Sequence, residues 1–533
     1  MSWLDLMRIP DNVSIECDSN WRRMRRSAAL WVVDDSRIET RQQGETIAVL
    51  VTAEHRAVSR VHLRWDLNVP QQLRVSGDHW ERGYGDLEWR GIVPERVLPW
   101  YFLAFDGAVT HGCGVRTGAA ALCFWTIDEE GVSLWLDIRN GGRGVELAGR
   151  TLHAADLTIR LGHKDESAFA AARDFCRQLC ASSCLPDHPV YGGNNWYYSY
   201  GKSSHREILI NAELMAELAP AGENRPYMVI DAGWQARSLS EGHICGSPWN
   251  RGNANFPDMP GLAADIRGLG VRPGLWLRPL AAGADDPASM LLSDERTSVT
   301  VKDRILDPSI PDVLDRVFHD FRCVSEWGYH LIKHDYTTYD IMGRWGFEMG
   351  AALTNNGWCF ADRSLTTAEI ITNLYRRMRE GAADALLIGC NTMNHLSSGF
   401  FELQRIGDDT SGLIWERTRK MGVNSLAFRL PQHGVFFAAD PDCVGLTNDI
   451  PWELNRQWLE LVSMSGTPLF VSAAPGAVGE PQKIALRKAF ALAARNSVPA
   501  EPMDWMDTTC PRSWTSNGTA RQFSWFSPMG VIF

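Results

Sequence analysis

The strongest constraint on the fold is a change of rhythm near Pro186. From there, short apolar runs alternate with longer helical stretches. The runs are Val190–Trp196, Tyr227–Asp231, Arg272–Leu277, His330–Asp335, Ala385–Cys390, Glu402–Ile406, Ser425–Arg429 and Val435–Ala439. Between several of them lie helical segments at Glu207–Leu218, Met259–Leu269, Asp312–Glu326 and Thr367–Ala382. Parallel strands are buried on both faces and so read as continuous apolar runs, and each needs a long crossover to the next. Eight such units predict a (β/α)8 TIM barrel over residues 186–500.

The first 185 residues follow a different pattern. Thr46–Thr52, Val61–Leu67, Trp100–Phe105, Ala120–Thr126, Ser133–Ile138 and Leu157–Leu161 are short and alternating, with turn signals such as Asp106-Gly and Asn140-Gly-Gly between them. That pattern predicts an antiparallel β-sandwich over 1–185, closed by a linker helix near Glu166–Cys180. Residues 501–533 are rich in Trp, Ser and Thr around Asn517-Gly and predict a short C-terminal β segment.

Charge and targeting signals narrow the partners. The formal charge of −11 comes with no basic stripe, so no nucleic-acid partner is expected. No run of 18 or more apolar residues occurs, so no membrane span is expected. The N-terminus lacks a basic stretch followed by an apolar one, and the twelve Cys follow no disulfide framework. The expectation is a cytoplasmic protein with free thiols. Cys176, Cys180 and Cys184 share a helical spacing but lack an evident fourth ligand, and no His-Glu-X-X-His is present, so no metal is expected.

In a barrel the reactive groups stand at the C-terminal ends of the strands. Those ends carry Asp231, Lys333 and Asp335, Cys390, Arg405 with Asp408 and Asp409, and Asp440 with Asp442. Two opposed carboxylates suffice to cleave a glycosidic bond: one attacks or activates water, the other protonates the leaving oxygen. Lys333 and Asp335 are two apart on a strand, so they share a face, and the cation favours an ionised nucleophile. Asp408 supplies negative charge beside Asp409. Asp440 and Asp442 flank a proline and read as turn formers, and His334 points to the opposite face as a packing residue. Of 22 Trp, three fall at predicted strand ends, Trp196, Trp234 and Trp276, where an indole meets the C–H face of a sugar.

These segments resemble glycoside hydrolase family 36, the α-galactosidase family of the clan it shares with family 27. Asn194-Asn-Trp-Tyr-Tyr-Ser-Tyr200 is similar to its first-strand motif, and Tyr227-Met-Val-Ile-Asp-Ala-Gly-Trp-Gln235 to its Asp-Asp-Gly-Trp motif. Phe256-Pro with Gly274-Leu-Trp276, Ile332-Lys-His-Asp335, Gly389-Cys390 with Arg405-Ile-Gly-Asp-Asp-Thr410, and Phe437-Ala-Ala-Asp-Pro-Asp-Cys443 follow in the family's order. The resemblance implies a retaining exo-α-glycosidase acting on an oligosaccharide or glycoside, with no metal or organic cofactor. Asp335 would be the nucleophile and Asp409 the general acid/base. Asp231, Lys333 and Arg405 would bind sugar hydroxyls, and Trp276 and Cys390 would line the subsite. Members of the family often form homo-oligomers.

Two departures qualify the resemblance. Ala232 stands where the family carries a second Asp, which removes a grip on the hydroxyls that distinguish galactose. A related sugar then enters the comparison: a β-L-arabinopyranoside, or an α-N-acetylgalactosaminide. The C-terminal segment is also shorter than the family's last sandwich. Transglycosylation, a non-catalytic carbohydrate-binding homologue and a metal-dependent barrel hydrolase complete the alternatives.

Overall fold

In the computed structural model, residues 3–236, 249–298, 303–495 and 498–531 are described. The N-terminal part is a sandwich of a six-stranded and an eight-stranded sheet, each antiparallel. Period-two alternation builds it. Along Val58–Asp66, Val61, Leu63 and Trp65 turn to the core while their neighbours are partly exposed. The linker helix, Ala168–Leu179, starts at Ser167, whose side chain accepts from the Ala170 amide. It buries Phe169, Phe175 and Cys176.

The barrel is a parallel sheet of eight strands. The first six are Tyr191–Asn194, Tyr227–Ile230, Arg272–Leu277, Leu331–His334, Leu386–Gly389 and Leu403–Arg405. The seventh comes in two pieces, Ala438–Asp440 and Cys443–Leu446, and the eighth is Leu469–Ala473. The break falls at Pro441-Asp442, where Asp442 takes a φ of 76°. Its first piece pairs with the sixth strand and its second with the eighth, which in turn pairs with the first, so the broken strand closes the barrel.

Two strand expectations are corrected here. Ser425–Arg429 is not a strand but lies in a helix, Asn424–Arg429. Every residue of that helix is buried, so it has no polar face to reveal a helical period. The run near Val435–Ala439 is the seventh strand rather than the eighth, and the eighth, Leu469–Ala473, lies outside all the expected runs.

Crossover helices begin with strong caps. Ser204 caps His205–Leu218, Asp258 caps Met259–Gly268, and Thr366 with Glu369 forms a reciprocal capping box on Thr367–Ala382. The C-terminal segment is a three-stranded antiparallel sheet whose hairpin turns at Asn517-Gly518, both with positive φ. Among the described residues no helix is long and apolar enough to cross a membrane, and the cysteines are unpaired.

Inside the barrel, a separate apolar cluster includes Tyr227, Val229, Leu331, Ile388, Leu403, Ala438 and Phe470. These side chains set the register of the site. Two residues on from Val229 is Asp231, from Leu331 is Lys333, from Ile388 is Cys390, and from Leu403 is Arg405. The alternation that fills the barrel with apolar groups therefore puts the polar ones in the next layer up, at the strands' C-terminal ends.

Candidate active site

Asp335 follows the fourth strand directly and is held at three points. Its amide donates to the Leu277 carbonyl at 2.9 Å. The Trp276 indole N–H donates to Oδ2 at 3.3 Å, and the Tyr336 amide donates to Oδ1 at 2.8 Å. Tyr336 adopts a left-handed conformation with φ of 66°, unusual for a non-glycine residue. That geometry turns its amide back onto the carboxylate, while the Arg278 guanidinium lies 4.4 Å over its ring. The Asp335 carboxylate is thus aimed by fixed donors and remains partly accessible.

Lys333 and Asp231 form a buried ion pair of 2.6 Å. Asn194 donates to the same Asp231 oxygen at 2.8 Å, and the Ala232 amide donates to the other at 2.9 Å. Burial alone would lower the Lys333 pKa, but Asp231 and its neighbours outweigh it and hold the ammonium firmly charged.

On the sixth strand, Arg405 is fully enclosed and bridges two carboxylates, Asp409 at 3.1 Å and Asp442 at 2.7 Å. Asp442 also accepts from the Tyr197 hydroxyl and, at 2.8 Å, from the Thr410 amide. It is therefore a buried anchor for Arg405 and not a simple turn former. Asp440 beside it is pushed up to about 6 by burial.

Asp409 keeps 37% of its side chain accessible. Burial would raise its pKa, but Arg82, Arg405, Lys333 and Arg417 together pull it down to about 2. Cys390 directly follows the fifth strand, beside the two arginines that pair with Asp409. Its Sγ lies 3.5 Å from an Arg405 nitrogen and 3.8 Å from an Arg82 nitrogen, and its thiol is raised by burial first and by Asp335 next.

The structure thus gathers Asp231, Lys333, Asp335, Trp276, Cys390, Arg405 and Asp409 at one end of the barrel. Trp196 lies on a short helix, Trp196–Ser199, after the first strand and is half-buried against Tyr200. Trp234 is set apart from the expected sugar contact. It is completely buried, donates to the Trp276 carbonyl at 2.9 Å and packs on Trp249 and Trp327, so it backs the Trp276 wall. His334 is buried against Phe401, as a packing residue. Arg82 is the participant that sequence reasoning missed. It sits in an irregular loop of the N-terminal part, far in sequence from every barrel strand, and no local pattern marks it.

Solved α-galactosidases share this fold. One such structure is the Thermus thermophilus α-galactosidase in complex with p-nitrophenyl α-D-galactopyranoside. It shares 17% identity over 96% of this chain and 99% of its own, with a TM-score of 0.61. The family 36 α-galactosidase AgaA from Geobacillus stearothermophilus, a variant in complex with raffinose, shares 13% over 91% of this chain and 75% of its own at 0.58. The α-galactosidase from Lactobacillus brevis shares 14% over 91% and 70%, also at 0.58. No protein-family model and no curated protein matches the sequence. At these identities the likeness is one of fold.

Proposed function

We propose that this chain is a retaining exo-α-glycosidase that removes terminal α-galactosyl or closely related residues from oligosaccharides and glycosides. Residues 186–500 would be the catalytic barrel, 1–185 the sandwich that docks onto it, and 501–533 a terminal β segment. The setting proposed is the cytoplasm, in keeping with unpaired thiols. The observation that carries the proposal is the pair Asp335 and Asp409, at the same barrel end, each close enough to act on Lys333 and Tyr336.

The chemistry proposed is a double displacement. An Asp335 oxygen, aimed by Trp276 and Tyr336, attacks the anomeric carbon. As that bond forms, the C1–O bond to the leaving group breaks, and Asp409 gives its proton to the departing oxygen. In the second step Asp409 takes a proton from water. The water oxygen bonds to C1 as the C1–Asp335 bond breaks, and Asp409 ends protonated again. Net configuration at C1 is retained. Lys333–Asp231 and Arg405 offer fixed, charged partners to ring hydroxyls, which favours a sugar over an apolar substrate.

Ala232 supports a narrower choice among sugars. It places a methyl group beside Asp231 where a second carboxylate would serve a further hydroxyl. A β-L-arabinopyranoside, which lacks the C6 hydroxymethyl, suits that change, and an α-N-acetylgalactosaminide is the other arm. The test is a panel of aryl glycosides, α-galactoside, α-N-acetylgalactosaminide and β-L-arabinopyranoside, with NMR of the first-formed anomer. Release of sugar with retained configuration is expected. Inverted product, or no release from any of the three, would refute the proposal.

A further inference from the structure

The sandwich reaches into the barrel mouth at one place. Gly83 donates its amide to the Ile406 carbonyl at 2.8 Å, and its carbonyl accepts from the Asp408 amide at 2.8 Å. The loop thus lies as one extra bridge along the sixth strand's end. A Cβ at Gly83 would stand 2.9 Å from Ser425 Oγ, so the close approach favours glycine. This contact delivers the preceding side chain, Arg82, to Asp408 and Asp409. Arg82 is 6% exposed. One of its terminal nitrogens pairs with Asp408 at 2.8 Å, and the other lies 3.4 Å from Asp409 and 3.8 Å from Cys390. Its Nε has no hydrogen-bond partner among the described residues.

We propose that Arg82 is a positioning residue that acts through Asp409, a guanidinium carried in from the sandwich whose charge sets the balance of that carboxylate between its base and acid roles. The inference rests on the acid/base reading of Asp409. Asp408 has a second cation in Arg417 at 3.0 Å, whereas the second cation of Asp409, Arg405 at 3.1 Å, is shared with Asp442. The groups facing Asp409 come from every side. Arg405 comes from the sixth strand, Lys333 from the fourth, Arg417 from the short helix Trp415–Arg417, and Asp408 from its own loop. The Tyr197 and Tyr336 hydroxyls sense its charge. Arg405 is already committed to Asp442, and Lys333 to Asp231. Of the cations, only Arg82 and Arg405 are within 4 Å of the Asp409 carboxylate among the described residues.

The consequence is a division between the two half-reactions. A carboxylate kept ionised is ready to take a proton from water. It is less often ready to give one to a leaving group. Removing the charge of Arg82 raises the protonated fraction of Asp409 at neutral pH by about tenfold, since an opposite charge at this range moves a carboxyl by one pH unit or more. A weaker acid transfers its proton less readily, which takes back part of that gain.

The experiment compares kcat/KM for an alkyl glycoside, whose departure needs a proton, with that for an aryl glycoside bearing a nitrophenolate, whose departure does not. A structural loss lowers both together and leaves their ratio unchanged. For Arg82→Gln the alkyl-to-aryl ratio at pH 7 is expected to rise about three- to tenfold, and the falling alkaline limb of the alkyl profile to move to higher pH. For Arg82→Lys, which keeps the charge, the ratio should stay within about twofold of wild type. An unchanged or lower ratio in folded Arg82→Gln overturns the proposal. If that variant does not fold, Arg82→Lys decides it: a ratio altered more than about threefold overturns it. Asp409→Ala is run alongside. Should it retain wild-type turnover of the alkyl glycoside, the acid/base reading itself fails. If it loses that turnover while Arg82→Gln leaves the ratio alone, only the role of Arg82 falls.

Discussion

Replacing Lys333 by Met tests how the barrel mouth is held together. Lys333 and Asp231 are both nearly inaccessible and their charged atoms are 2.6 Å apart. Without the ammonium, Asp231 keeps only neutral donors among the described residues, the Asn194 side chain at 2.8 Å and the Ala232 amide at 2.9 Å, in a buried place. Breaking a buried pair by removing one partner costs about 3–5 kcal/mol, because a buried charge is left uncompensated. An exposed pair would cost at most about 1 kcal/mol. Urea unfolding followed by tryptophan fluorescence reads the difference, as a lower midpoint at unchanged slope. The double variant Lys333→Met with Asp231→Asn removes both charges and should recover at least half of the loss, giving a coupling of about 2 kcal/mol or more. A single-variant loss below about 1 kcal/mol, or no recovery in the double variant, would refute the argument that this pair is held in a buried site.

Two further predictions follow from neighbouring residues. Ala232→Asp should raise kcat/KM for an α-galactoside about 10- to 100-fold, the worth of one charge-assisted hydrogen bond, and leave a β-L-arabinopyranoside unaffected; equal change on both would sever Ala232 from sugar choice. Glu81, buried beside Gly346 and Asn391, is pushed up to about 7 by burial from an ordinary 4.5. Between those values the native state keeps a proton that the unfolded chain has lost. Stability should therefore fall as pH rises through that window, by up to about 1.4 kcal/mol per pH unit from this group. Glu81→Gln should flatten that slope, and urea midpoints that fall equally steeply in both proteins would contradict the assignment.

The barrel was legible because its strands are short apolar runs ended by charged residues, and because alternation along each strand carries the interior face up to the site. Leu331 to Lys333 and Leu403 to Arg405 are the plainest cases. Reading failed where that signal vanishes. Asn424–Arg429 is buried on all sides, so its helix has no polar face and resembled a strand. The true eighth strand, Leu469–Ala473, follows a helix without a distinctive motif. Asp442 beside a proline looked like a turn residue, since only the fold shows Arg405, Tyr197 and Thr410 converging on it. Trp234 has the right position along the chain, but its indole faces the packing between Trp249 and Trp327. Arg82 was invisible for a simpler reason: its loop has no period, and its partners lie more than three hundred residues away.

The nucleophile can be tested by trapping. A 2-deoxy-2-fluoro glycoside with an activated leaving group, matched to the sugar that the panel selects, slows the second half-reaction and lets the glycosyl-enzyme accumulate. Proteolysis and mass spectrometry should then find one fluorosugar, esterified to Asp335 in the peptide that contains Lys333-His-Asp335. A label on any other carboxylate, or steady turnover with no adduct, would contradict a retaining mechanism through Asp335.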